Sequence, residues 1–229
     1  MSTKLYIVAT PIGNLEDITL RAISILKTVD VVLCEEEKPA RKLLKALDIP
    51  GKSLISINEH NEPEVVDQVL YSLLQQNQSA ALISDCGTPV FSDPGATLIQ
   101  RAVESGIQIV PVPGVSSLMA TLSVLDVQLK NFVFGGFLSR DGATRIRELT
   151  RLKNLGMPVI LMDTPYRLSA LLTDAAKVFG KGRQATLACD MTTNREKIFR
   201  GTLGEILSAI QERKPEFILV VHEYQREQR

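Results

Sequence analysis

The residues best suited to chemistry lie in one stretch, Ala80 to Gly95, which reads AALISDCGTPVFSDPG. An apolar run resembling a buried strand breaks into a loop holding two acids, Asp85 and Asp93, with Pro89, Pro94, Gly87 and Gly95. Prolines fix such a loop, and glycines let a ligand approach the backbone. Asp85 stands at the strand end, where a carboxylate faces a pocket. Ser92 or Asp93 is placed to cap a following helix with Pro94 in its first turn, Asp93 being the better cap. Two more loops share this character, ATPIGNLED (Ala9–Asp17) and VPVPGVSS (Val110–Ser117). Each follows a strand pattern and leads into a helix, so in a parallel sheet all three emerge at one edge, where α/β proteins hold ligands. None contains GxGxxG or GxxxxGK[ST], which argues against a ligand held mainly by its phosphates. Backbone groups and a few hydroxyls suit a neutral or zwitterionic small molecule.

The elements that must carry these loops alternate through the first half. Strands are expected at Leu5–Thr10, Val31–Cys34, Leu54–Ile57, Ala80–Ser84 and Ile107–Val112. Helices are expected at Ile18–Lys27, Ala40–Leu47, Val65–Gln75 and Ala96–Ser105. Short apolar strands alternating with helices imply a parallel sheet covered on both faces. The second half changes character. Strands are expected at Asn131–Phe137, Met157–Asp163, Gln184–Cys189, Lys197–Arg200 and Phe217–Tyr224, with helices at Arg145–Lys153, Arg167–Phe179 and Leu203–Glu212. The close pair Gln184–Cys189 and Lys197–Arg200 suggests a hairpin, hence a mixed sheet. The fold class is therefore α/β in two domains, 1–126 parallel and 127–229 mixed, with the boundary near Val124–Lys130.

Composition narrows the classes. Apolar residues make up 45% of the 229, enough for a real core. No apolar run approaches a membrane span, and the N-terminus lacks a signal peptide's apolar core. Cys34, Cys86 and Cys189 have no paired spacing, which fits a reducing, cytoplasmic setting. With two histidines, His60 and His222, no metal site is expected. Lys+Arg and Asp+Glu balance at 26 each, so local charge matters more than net charge. Lys130, Arg140, Arg145, Arg147, Arg151 and Lys153, against Asp141 and Glu148, make a modestly basic segment. A solvated helix face is its default reading; a phosphate-binding surface is the other.

TPIGN, SDCGTPVFSDPG and PVPGVSS, in this order and spacing, resemble the tetrapyrrole-methylase superfamily of S-adenosylmethionine-dependent methyltransferases. Within it the chain looks most like the ribosomal RNA small-subunit methyltransferase I family, which methylates the ribose 2′-hydroxyl of a cytidine in 16S rRNA. NEHNE (Asn58–Glu62), FGGFLSR (Phe134–Arg140), TPYRL (Thr164–Leu168) and FRGTLGE (Phe199–Glu205) extend the likeness over nearly the whole chain. The resemblance implies two α/β domains with S-adenosyl-L-methionine in the cleft between them, and a homodimer acting on the small ribosomal subunit. It implies that Pro11 and Gly13 border the cofactor, that Asp85, Thr88, Pro89, Val90 and Ser92 line its methionine and ribose, and that Pro113, Ser116 and Ser117 close the pocket. Met162 and Ala188 would cover the adenine.

Departures from that family fall outside the cofactor loops. Its AEDTRxTRKLL segment reads CEEEKPARKLL here (Cys34–Leu44), its FYESPHRL reads LMDTPYRL (Leu161–Leu168), and its ARELTK-like strand reads ACDMTTN (Ala188–Asn194). Glu35, Arg41 and Lys42 keep their places. Lys38 replaces an arginine and cannot reproduce its planar, two-pronged grip. Methyl transfer from a sulfonium needs alignment above all. A base helps a weak hydroxyl nucleophile by ~10²–10⁴-fold, and Glu35 and Asp85 are the two candidates. Glu35–Glu37 read equally well as an exposed acidic helix start. His60 could be a base but reads better as part of a polar turn. Lys38 or Arg41 could hold the adjacent phosphate, and Arg145 and Arg147 are the expected RNA contacts on the basic helix, although its cations do not form one stripe. Two alternatives stay open: a tetrapyrrole or other small-molecule acceptor, and a protein that binds the cofactor without turnover.

Overall fold

The structure is a computed structural model describing residues 4–58, 60–91, 93–210 and 213–223. It divides into two compact units, Met1–Ser116 and Ser117–Arg229. The first unit holds β1 (Lys4–Val8), α1 (Leu20–Thr28), β2 (Val31–Cys34), α2 (Glu37–Ala46), β3 (Ser53–Ser56), α3 (Glu62–Gln75), β4 (Ala80–Ile83), α4 (Ala96–Glu104) and β5 (Gln108–Val112). Its five strands run in the order β3-β2-β4-β1-β5, and every pairing is parallel. α1 and α2 bury Ala22, Leu26, Leu43 and Leu44 on one face of the sheet. α3 and α4 bury Val66, Val69, Leu98 and Ala102 on the other. The neighbours β1 and β4 therefore send their connections to opposite faces, and the loops leaving their carboxyl ends diverge. That divergence opens the crevice in which doubly wound sheets place ligands.

The second unit contains α5 (Ser117–Ser123), β6 (Val133–Gly136), α6 (Gly142–Asn154), β7 (Val159–Asp163), α7 (Leu168–Phe179), β8 (Gln184–Cys189), β9 (Lys197–Thr202), α8 (Leu203–Ile210) and β10 (Phe217–Val221). The strand order is β6-β7-β10-β8-β9; β6 and β7 are parallel, and the remaining pairs are antiparallel. The expected mixed sheet and its β8–β9 hairpin are both present. α6, α7 and α8 cover one face through Leu149, Leu171, Leu172, Ile206 and Ile210. On the other face Ile160, Ile218 and Val220 meet Leu118 and Leu122 of α5. This packing is why the division falls at Ser116/Ser117 and not at 126/127: α5 gives its apolar side to the second sheet. Tyr224 and Glu212, expected at element ends, lie outside the described residues.

Buried cysteines are inert here. Burial, aided by neighbouring carboxylates, pushes the Cys34 thiol up to about 11, and burial pushes Cys189 up to about 12. Neither is thiolate at neutral pH.

Candidate active site

The three Pro/Gly loops of the first unit are fastened to one another. Thr10 donates its backbone N–H to Gly87 O at 2.9 Å and its hydroxyl to Ser84 O at 2.9 Å, joining the loops after β1 and β4. Thr88 Oγ1 donates to Val115 O at 3.1 Å, joining the loops after β4 and β5. Gly87 has φ +86°, and a Cβ there would come within 3.2 Å of Ile12 Cγ2. Only glycine lets these two loops close together without strain. Val90 also lies in the left-handed region, at φ +74°. For a β-branched side chain this conformation costs about 1–3 kcal/mol and persists only when its surroundings impose it. Such strain concentrates in loops that have a shape to keep.

Between the first two loops and α2 lies a recess of about 340 Å³, lined by Thr10 to Gly13, Ser84 to Cys86, and Pro39, Lys42 and Leu43. Pro11, Gly13 and Asp85 of the expected set come together there. Asp85 is half-buried and accepts from the Glu36 N–H at 3.4 Å. Burial pushes its carboxyl above the ordinary aspartate range; the Glu36 N–H pulls it back, and the charges of Glu36 and Asp93 push it up again. A carboxylate raised in this way holds a proton better than a solvated one, as a general base must. Lys42 lines the same recess and was not singled out from the sequence as a site residue. Its signal was helical spacing: with Pro39 and Leu43 it occupies one face of α2.

Other expected residues lie elsewhere. Thr88 is exposed, Pro89 buried and Pro113 exposed; Ser116 and Ser117 are half-buried, and Ser92 lies outside the described residues. Glu35 is half-buried just beyond β2, its carbonyl accepting from Ser56 Oγ at 2.7 Å. Lys38 is exposed on α2, and Arg41 pairs with Glu37 at 2.6 Å one helical turn away and lines a different recess. His60 sits in a polar turn, its N–H donating to Asn58 Oδ1 at 3.0 Å. Asp93 does not cap α4. The N-cap is Gly95, at φ +124°, and the carboxylate of Glu62 accepts from the N–H groups of Gly95 and Thr97 at 3.2 and 3.0 Å. A helix start prefers an anion, and α3 supplies it from a distance.

In the second unit, Met162 and Ala188 sit on one face of the sheet, paired on either side of Ile218. The expected RNA surface on α6 needs correction. Arg145 is only 8% exposed, its guanidinium forming an ion pair with Asp174 at 2.6 Å and donating to the carbonyls of Ser139 and Arg140. It ties α6 to α7 and is not available to a surface ligand. Arg147, two residues on, is exposed and donates to Thr144 Oγ1. Arg167 is a second clamp, donating to Leu138 O and Ser139 O at 2.6 and 2.8 Å while pairing with buried Asp163 at 3.2 Å.

Two units, a parallel five-stranded sheet with its loops knotted at one edge and a mixed five-stranded sheet, define a known class. The chain belongs to the Tetrapyrrole (Corrin/Porphyrin) Methylases, whose pattern it matches over residues 4–207, and is a methyltransferase. It is 39% identical over 227 residues to the "Ribosomal RNA small subunit methyltransferase I" of Neisseria meningitidis serogroup B, covering 97% of this chain and 77% of that one. The protein of the same name from Thermotoga maritima is 38% identical over 212 residues, covering 93% of this chain and 94% of that one. The fold is also that of a uroporphyrin-III C-methyltransferase from Thermus thermophilus complexed with S-adenosyl homocysteine, at a TM-score of 0.68 and 20% identity, covering 96% of this chain and 97% of that one.

Proposed function

We propose that this methyltransferase uses S-adenosyl-L-methionine to methylate the ribose 2′-hydroxyl of a cytidine in 16S rRNA, acting as a cytoplasmic homodimer on the small ribosomal subunit. The observation that carries the reading is the 39% identity over nearly the whole chain to a protein named for rRNA methylation. The residues suit the donor. The recess is of small-molecule size, largely apolar, and presents one carboxylate and one ammonium to a ligand that carries both kinds of charge.

When bound, the sulfonium supplies an electrophilic methyl carbon. Everything else falls to the chain. The loops after β1, β4 and β5, with Pro11, Gly13, Thr88, Pro89, Val90, Pro113, Ser116 and Ser117, hold the donor in a fixed orientation. Asp85, or Glu35 at the end of β2, the strand next to β4 in the sheet, accepts the hydroxyl proton. Of the two, Asp85 is favoured by its raised carboxyl and its place in the recess. Lys38, Arg41 and Arg147 remain exposed cations able to meet phosphate.

Two measurements test this. Calorimetric titration of S-adenosylhomocysteine should show binding to the wild type and weaker binding to Asp85→Ala; no binding by the wild type sinks the cofactor assignment. Methyl transfer should then appear in 16S rRNA when small subunits from a strain lacking the modification are supplied. Label in a small molecule instead, or binding without turnover, overturns the RNA assignment.

A further inference from the structure

The carboxyl ends of β6, β7 and β8 share one edge of the second sheet, with the first residues of β9 and β10 beside them. At this edge a cleft of about 430 Å³ opens between the β8–β9 turn and the segment leading into β10. Four cations line it, Arg195, Lys197, Arg213 and Lys214, against one carboxylate, Asp190. Asp190 is already engaged: it accepts from the Glu216 N–H at 3.2 Å and lies 3.9 Å from Arg195. Glu196, in the same turn, is taken up by the Thr192 N–H at 2.7 Å. Among the described residues no carboxylate pairs with Lys197, Arg213 or Lys214. Four cations around one carboxylate leave an excess of positive charge, and the repulsion within it is relieved when an anion enters.

Aromatic rings accompany the charges. Lys197 Nζ lies 4.7 Å from the centre of the Phe199 ring, and Lys214 Nζ lies 5.1 Å from that of Tyr166, which is 80% exposed. A cation-lined groove with an open ring at its rim is the composition that takes single-stranded nucleic acid: phosphates meet the cations, and a base stacks on the ring. The turn is stiff enough to keep this arrangement. Asp190 and Thr192 hold left-handed backbone at φ +47° and +64°, and Asp190 and Glu216 exchange backbone and side-chain hydrogen bonds.

We infer that this cleft is the subsite for the phosphodiester backbone of a single-stranded RNA segment, with Tyr166 stacking on one of its bases. The inference rests on the RNA reading above and moves the RNA contact from α6, where Arg145 is buried, to the β8–β9 turn and the lead into β10.

The test is fluorescence anisotropy of the full chain with a labelled mixed-sequence single-stranded RNA of about ten nucleotides, followed across salt concentration. Lys197→Gln with Arg213→Gln removes two phosphate contacts. At ~0.7 counterion per contact the salt slope should flatten by about 1.4 and affinity at 0.1 M salt fall about 25-fold. Tyr166→Ala should weaken binding about fivefold or more with the slope unchanged, because stacking releases no counterions. The control, Arg151→Gln with Lys177→Gln, removes the same charge from the last turns of α6 and α7 and should change little. Thermal melts and S-adenosylhomocysteine affinity, unchanged in every variant, separate this from misfolding. Equal losses in the cleft and control variants overturn the inference, as does wild-type binding insensitive to salt. Failure of the rRNA methylation assay alongside cleft-dependent oligonucleotide binding would instead remove the ribosomal target and leave the cleft standing.

Discussion

The two sheets present their ligand-side edges in opposite ways. In the first unit the loops are held by main-chain and hydroxyl hydrogen bonds, Thr10 to Ser84 and Gly87, Thr88 to Val115, with prolines and glycines at the corners. The recess there is lined by one acid and one ammonium. In the second unit the loops are held by arginines, Arg145 and Arg167, whose guanidinium groups reach the carbonyls after β6. Other cations at the same edge are left to solvent. The first edge fits a small, fixed ligand that must be aligned to a fraction of an ångström. The second fits a polyanion that needs charge more than shape.

The same contrast explains what could be read from the sequence. Gly87, Pro89 and Gly95 act through backbone geometry that each residue carries with it, so their loop stood out in the sequence before any fold was known. The strands of the parallel sheet were equally legible, because each is a short apolar run bounded by turn residues. Arginine carries no such mark. Arg145 and Arg147 are two residues apart on α6 and end in opposite environments, because helical rotation turns one toward Asp174 and the other to water. Lys42 was missed for a related reason, since its facing depends on where α2 packs. The cap of α4 was misread as Asp93 because its true partner, Glu62, is far away in sequence. No local capping pattern reports a carboxylate supplied by another helix.

The largest expected effect probes that divided arginine pair. Arg145→Ala leaves Asp174 without its partner in an environment where the two side chains are only 9% and 15% exposed. Breaking such a pair should cost about 3–5 kcal/mol of stability, measured by denaturant unfolding, while Arg147→Ala should stay within about 0.5 kcal/mol of wild type. Equal effects would erase the distinction between a clamp and a surface cation.

The fastened edge has its own tests. At Gly95 a Cβ would meet Leu82 Cδ2 at 2.6 Å, and φ is +124°. Gly95→Ala should cost about 1–3 kcal/mol and weaken S-adenosylhomocysteine binding together with stability. A wild-type melting curve for this variant would show that the loop does not depend on its glycine. Glu62→Ala should cost less, about 0.5–2 kcal/mol, as removal of a helix cap does. Its loss should diminish in high salt, because an anion at a helix start acts in part through the dipole.

The smallest effect bears on why Asp85 stands where it does. Its folded carboxyl is raised, chiefly by burial. The ionised group therefore destabilises the fold at neutral pH, and this cost disappears as pH falls through the folded value toward the unfolded one near about 3.9. Asp85→Asn keeps an acceptor for the Glu36 N–H and removes the charge. The variant should melt slightly above wild type at pH 7, with the gap closing between pH 7 and about 4, while methyl transfer is lost. A gap that widened toward low pH would mean that the carboxylate stabilises its loop, as Glu62 does, and would make Asp85 a cap rather than a base. A closing gap with lost activity is the mark of a group kept at the first edge for chemistry against a cost in stability.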